Sequence, residues 1–175
     1  GVGALYIAPD APVQSLLCGG GQERRRRAGT LNVAGIAGFG AAVEAMTNLD
    51  HTRVLRDDFE ARLKAIEPNV VIFGEDAERL PNTSFFAVPD ASAMTLLMNL
   101  DLEGVSVSTG TACSSGKVGA SRSVTAMGRE ADAPKGAIRV SFGYTSTQDD
   151  VDTMITAWTK IRRKTKDPKS REEAA

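Results

Sequence analysis

Histidine is nearly missing from this sequence: His51 is the only one in 175 residues. It falls beside charged residues in the first turn of an expected helix and reads as solvated. Neither a Ser–His nor a Cys–His catalytic pair can therefore be built, which excludes papain-like and serine-hydrolase mechanisms. Cysteine is almost as scarce, with Cys18 and Cys113 alone. Two thiols and one imidazole cannot make an ordinary four-ligand zinc site without carboxylate help. Two cysteines are also no disulfide framework, so a cytosolic compartment is the default expectation. No apolar run approaches the roughly 20 residues a membrane span needs, and residues 1–20 lack a signal-peptide pattern. Twenty-one basic and 22 acidic residues leave a net charge of −1, so no global field favours nucleic acid or an anionic membrane. There is no internal repeat, and the triple glycine at 19–21 lacks the Gly-Lys-Ser/Thr ending of a nucleotide P-loop.

What is present is ordinary for a globular protein: 42% apolar and 25% charged residues, enough chain for one sizeable core or a core plus part of another. Residues 1–8 read as a strand ended by Pro9. Residues 33–48 carry Val33, Ile36, Phe39, Val43 and Met46 at helical spacing. Gly35, Gly38 and Gly40 burden that helix by about 1 kcal/mol each, a cost that close packing against another backbone would offset. Asp50 reads as the cap of a second helix with Val54, Leu55, Phe59, Leu63 and Ile66 on one face, stopped by Pro68. Strands are expected at 70–73 and 83–88. Asp90 then reads as the cap of a helix over 91–100 whose Met94 and Met98 belong to the core. A strand at 105–107, a short helix at 123–127 ended by Gly128, and a strand at 137–142 follow. Ser146 or Thr147 caps the last helix, with Val151, Met154, Ile155, Trp158 and Ile161 as its buried stripe. From Arg162 to Ala175 the chain is charged and aperiodic and reads as a frayed tail. Strands alternating with helices argue an α/β or α+β layer fold, helices covering a mixed sheet.

Three stretches carry chemistry. After Val105-Ser106-Val107 come Gly110, Thr111, Ala112, Cys113, Ser114, Ser115 and Gly116, small and mostly polar, which is the composition of a surface loop. Free cysteines are usually buried, so Cys113 is either an incidental surface thiol or a nucleophile held out to a substrate. Cys18, beside Leu16 and Leu17, reads as a packed, inert thiol. In the alternating strand at 137–142, Ile138, Val140 and Phe142 share one face and Arg139 the other. Arg139 is thus a solvent-facing arginine or a clamp for a carboxylate, for which a planar five-donor guanidinium is well shaped. Arg24 to Arg27 form a run of four positive charges with only Glu23 as local counter-charge; such a run is ordinarily a solvated face.

The segment TGTACSSGKVG (109–119) resembles the active-cysteine loop of the cysteine desulfurases, pyridoxal-phosphate enzymes of the class V aminotransferase fold. GGGQERRRRAGTLN (19–32) and GAIRVSFGYTS (136–146) resemble two further blocks of that family, in the same order. The likeness runs from Gly1 to about Lys164. It implies the C-terminal part of an aspartate aminotransferase-like fold: residues 1–47 as the end of the large cofactor domain, 48–164 as the small α/β domain, and 165–175 as a disordered tail. It implies Cys113 as the catalytic acceptor of sulfur from L-cysteine, with L-alanine released. Thr30 would reach the phosphate of pyridoxal 5'-phosphate in the neighbouring subunit of a homodimer. Arg139 would bind the α-carboxylate of the substrate. An iron–sulfur scaffold or other sulfur-acceptor protein is the implied partner, with a transient shared iron–sulfur cluster at Cys113. Arg25 and Arg26 depart from the family pattern, whereas Arg27 matches it. The family's Schiff-base lysine, ring-stacking histidine, pyridine-facing aspartate and most phosphate ligands are expected upstream of Gly1. Lys64, Lys117 and Lys135 do not sit in the lysine's context, so the chain alone is expected to be inactive. A selenocysteine lyase or aminotransferase of the same fold, and a non-enzymatic interaction domain, are the alternatives.

Overall fold

The computed structural model describes residues 1–46, 50–110 and 121–166. The chain divides into two compact units, Gly1–Thr47 and Asn48–Ala175.

The first unit has little regular structure. Gln22–Arg25 form a single 3-10 turn, and α1 spans Val33–Glu44. Asn32 caps α1 by accepting a hydrogen bond from the Gly35 amide at 3.0 Å, which satisfies one of the orphan donors of the first turn. The strand expected over residues 1–8 is absent: a strand exists by virtue of a laddered neighbour, and none is described in this unit. Of the three glycines of α1, only Gly35 meets close neighbours. A Cβ added there would lie 2.6 Å from Val2 and 2.7 Å from Asn32, whereas one at Gly38 or Gly40 would meet nothing within 4 Å among the described residues. The close packing against another backbone expected to offset all three is not found among the described residues, since the neighbours of Gly35 are the side chains of Val2 and Asn32.

The second unit is a four-stranded sheet with helices. In chain order come α2 (Asp50–Ile66), β1 (Val71–Ile72), β2 (Thr83–Ala87), α3 (Ala93–Leu102), β3 (Ser108–Thr109), α4 (Arg122–Ala126), β4 (Ile138–Ser141) and α5 (Gln148–Lys166). The spatial order is β1-β2-β4-β3. Every described pair is antiparallel, with Val71 opposite Ala87, Thr83 opposite Ser141 and Ser108 opposite Arg139. The expectation of a mixed sheet is corrected accordingly.

Alternation in the strands decides the layers. Ile72, Phe86, Ile138 and Val140 join Leu55, Phe59 and Leu63 of α2, Leu96 and Leu100 of α3, and Val151, Met154, Trp158 and Ile161 of α5 in one core. Phe59, Phe86 and Trp158 interlock there, with ring centroids 5.8 and 5.6 Å apart. Such aromatic pairs add roughly 0.5–1.5 kcal/mol beyond the area they bury. The other face carries a smaller cluster of Phe73, Ala87, Val124, Ala133 and Ala137.

Several expectations shift. Asp50 is the first residue of α2, not its cap. Ser92, not Asp90, caps α3 by accepting from the Thr95 amide at 3.3 Å. Met94, Met98 and Val54 are exposed, because their apolar neighbours Leu96, Leu100 and Leu55 already fill the facing positions. The ladder to β4 forms at 108–109 instead of 105–107, where the chain diverges beside a cleft of about 200 Å³ bordered by Val140, Phe142, Ser146 and Asp150. Thr147 precedes α5 in the expected capping position, its amide donating to Asp150 at 2.8 Å.

The largest correction concerns Arg162. Instead of opening a frayed tail, it lies in α5, 7% exposed. Its Nε donates to Glu67 at 2.5 Å and its Nη2 to Asp90 at 3.0 Å, and Glu67 also accepts from the indole of Trp158 at 3.4 Å. Burial works against its charge, but the hydrogen bonds to Glu67 and then Asp90 outweigh it and hold the guanidinium pKa above the ordinary arginine value. The helix runs on past this paired arginine to Lys166.

Candidate functional site

The candidate residues of the second unit lie on and beside β4. Arg139 projects from the middle of this strand on the face away from the main core and is exposed. Its cross-strand neighbours are Phe85 on β2 and Ser108 on β3. Among the described residues no carboxylate forms an ion pair with it, whereas Arg56, Arg62, Arg79, Arg129 and Arg162 are each paired. A guanidinium held on a central strand, with no carboxylate of its own, is shaped for bidentate binding of a carboxylate from outside.

Immediately past Ser108, the chain enters the segment that carries Cys113. Residues 111–120, and Cys113 with them, lie outside the described residues. The two stems of the segment are described. Gly110 donates its amide to Ala137, the residue before β4, at 3.0 Å. Ser121, 3% exposed, begins α4 and donates its hydroxyl to the Gly110 carbonyl at 3.2 Å. α4 is fixed to the sheet by Val124, which is 1% exposed within the smaller cluster. The exit of the segment is therefore anchored as firmly as its entry. Cys113 follows Gly110 by three residues, a tether of at most about 11 Å by covalent geometry. The arginine and the base of the cysteine segment are thus brought together on one sheet.

Thr30 belongs to the first unit and is exposed. Its carbonyl, and that of Gly29, accept from Arg27 Nη1 at 3.3 and 3.1 Å. The Gly29 amide donates to Gln22 at 3.2 Å. Glu23, Arg24 and Arg25 all have positive φ, 52°, 55° and 68°, a left-handed turn that costs L-residues roughly 1–2 kcal/mol each. The arginine run is therefore not one uniform solvated face. Its last member braces the turn that presents Thr30. The Thr30 hydroxyl is exposed on this braced turn, and a hydroxyl so placed is able to donate to an anionic oxygen.

Cys18 is exposed, not packed. Leu16 and Leu17 beside it are exposed as well, so an apolar neighbourhood in sequence did not become one in space. His51 is exposed on the first turn of α2, as expected. No group of three or more His, Cys, Asp or Glu side chains suited to a metal ion occurs among the described residues. No described helix is long and apolar enough to cross a membrane. Nothing in the sequence marks Gly110 and Ser121 as a pair, because a serine ahead of a short helix looks like any helix cap.

Residues 1–154 match the aminotransferase class-V family. A cysteine desulfurase of Cereibacter sphaeroides is 40% identical over 157 residues, covering 89% of this chain and 41% of that protein. A cysteine desulfurase IscS of Clostridium botulinum is 38% identical over 168 residues, covering 92% and 42%. Among solved structures, a NifS-like protein from Rickettsia africae superposes with a TM-score of 0.71 at 33% identity, covering 86% of this chain and 40% of that one. The chain spans about 40% of the length of the curated relatives it matches.

Proposed function

The chain belongs to the aminotransferase class-V family, and from that premise we propose that it is the C-terminal portion of a cysteine desulfurase, converting L-cysteine to L-alanine with its sulfur received by Cys113. The observation that carries this reading is Arg139, an exposed guanidinium with no carboxylate pairing it among the described residues, fixed across from the strand that runs into the Cys113 segment. Arg139 binds the substrate α-carboxylate and so sets where the rest of the amino acid lies. Cys113, as thiolate, attacks the substrate sulfur. The Cβ–S bond breaks with its electron pair leaving to carbon, which takes up a proton, and a persulfide remains on Cys113. Pyridoxal phosphate, when bound, supplies the electron sink that makes the carbon a tolerable leaving group. Thr30 holds its phosphate through one hydroxyl, across the interface of a homodimer. The Schiff-base lysine is supplied by sequence upstream of Gly1. The persulfide is then passed to an iron–sulfur scaffold or other acceptor, in the cytoplasm.

The test compares the purified chain with a protein extended upstream through the lysine, each given cofactor and L-cysteine. Alanine should form with the extended protein alone, and mass mapping should find the persulfide on Cys113. Alanine formed equally by both would place the lysine within these 175 residues. Alanine formation unaffected by Cys113→Ala would remove the sulfur-acceptor role.

A further inference from the structure

The two stems of the Cys113 segment meet in a contact that helix capping does not explain. Ser121 stands at the N-cap of α4, yet its side chain makes no capping hydrogen bond. The hydroxyl instead crosses to the Gly110 carbonyl. Gly110 admits nothing larger: an added Cβ would lie 2.7 Å from the Ser121 hydroxyl oxygen, 2.9 Å from Ser121 Cβ and 3.0 Å from Phe85 Cζ. The φ of Gly110 is not among the positive ones, so the demand for glycine here is one of space and not of backbone conformation. A buried serine hydroxyl, a glycine that lets a neighbour approach and an aromatic edge closing the third side form a clasp.

We propose that Gly110 and Ser121 are positioning residues for the sulfur-accepting step: their clasp fixes the base from which Cys113 reaches the substrate held at Arg139. The proposal rests on the reading of Cys113 as the sulfur acceptor. The clasp lies one residue past the β3–β4 ladder, whose last pairs are Ser108 with Arg139 and Thr109 with Ile138. Arg139 is held from both sides, opposite Phe85 on β2 and Ser108 on β3, so these two ladders keep its backbone in place when the Ser121 hydroxyl alone is removed. Opening the clasp therefore displaces the origin of the three-residue tether and leaves the carboxylate clamp in place. A displacement of about 1 Å in a reacting group can cost on the order of 100-fold in rate. The expected signature is a loss in turnover with substrate binding unchanged.

The experiment uses the full-length protein, extended upstream and loaded with pyridoxal phosphate, as wild type, Ser121→Ala and Gly110→Ala. Single-turnover persulfide formation on Cys113 should slow by roughly 10-fold in Ser121→Ala and by up to about 100-fold in Gly110→Ala. KM for cysteine should stay at the wild-type value in Ser121→Ala, and its melting temperature should fall by no more than the few degrees that one buried hydrogen bond is worth. In parallel, iodoacetamide labelling of Cys113 and hydrogen exchange at the residue 110 and 121 amides are followed without substrate. Both should be faster in the variants, with Cys18 labelling unchanged. These readouts need no activity, so a wild type that makes no alanine would defeat the desulfurase reading while still deciding whether the clasp exists. Wild-type persulfide rates in both variants would overturn the proposal. So would a joint rise in KM and fall in melting temperature for Ser121→Ala, which would mark a merely structural serine. Should Gly110→Ala fail to fold, Ser121→Ala with its labelling rate decides alone.

Discussion

The two units use apolar residues in opposite ways. In the first, Val2, Leu5, Tyr6, Leu16, Leu17, Ile36, Phe39 and Val43 are all exposed, and neither its 3-10 turn nor α1 contains a buried residue. In the second, Phe59, Leu63, Phe86, Leu100, Val151 and Trp158 are completely buried. Apolar content is not the difference, for α1 is more apolar than either long helix of the second unit. What the first unit lacks is a facing layer: α1 is apolar around most of its circumference, with no sheet of its own unit to press against. A hydrophobic sequence makes a core only where topology supplies a second layer.

The widest break of that comparison is to separate the units. Residues 48–166 alone should unfold in a single cooperative transition in urea, followed by circular dichroism, while residues 1–47 alone should show no transition. A cooperative transition in the shorter peptide would mean that its exposed apolar residues find one another without the rest.

Within the second unit, Arg162→Ala should be the most costly single change among those considered. It removes the guanidinium from a Glu67 carboxylate that is 4% exposed, and breaking one side of a buried pair costs about 3–5 kcal/mol. The urea midpoint reads this out, and a loss below about 1 kcal/mol would show that Trp158 and the other neighbours suffice to satisfy Glu67.

Arg139→Ala sharpens the contrast between an arginine that holds the fold and one that faces outward. In the full-length enzyme KM for cysteine should rise roughly 10- to 150-fold, the equivalent of 1.5–3 kcal/mol for hydrogen bonds to a charged group, with no change in melting temperature. A lowered melting temperature at unchanged KM would make Arg139 a structural residue.

Two smaller effects probe how completely each unit is packed. The Ser84 hydroxyl is buried without a hydrogen-bond partner among the described residues, so Ser84→Ala should raise stability by about 1 kcal/mol. Gly38→Ala should strengthen α1 by about 1 kcal/mol in this chain, because the added methyl meets nothing. In the protein extended upstream the gain should persist only if α1 remains uncovered there. Thermal melts of both backgrounds decide it.

Much of the second unit was legible from residue pattern. The alternation of Ile138, Arg139 and Val140 placed Arg139 outward, and the Val151, Met154, Trp158 and Ile161 stripe oriented α5. Such signals are local, set by periods of 2 and 3.6 residues. What could not be read there depends on distant partners. Arg162 looked like the start of a charged tail because Glu67 and Asp90 lie far away in sequence. Met94 and Met98 looked like core because nothing local says which side of α3 meets the sheet. The strand expected at residues 1–8 failed for the same reason, since a strand needs a neighbour that pattern alone cannot promise. At the site, Arg139 and Thr30 were suggested by motif, whereas the Gly110–Ser121 contact joins two residues that sequence gives no reason to connect.

The position of β4 has a consequence for how the protein is made. As an inner strand of the sheet it is the last to be synthesised, and it must enter between β2 and β3, which cannot ladder to each other without it. Long-range antiparallel pairing of this kind forms slowly, because the closure entropy of the intervening chain is lost before any contact compensates for it. Cys113 precedes β4 in the chain. On the ribosome, the thiol therefore emerges before Arg139 and before the strand that supports its stems. A nascent chain thus exposes the Cys113 thiol while β2 and β3 still lack the strand that joins them, and Arg139 takes its place on the sheet only when that final strand docks.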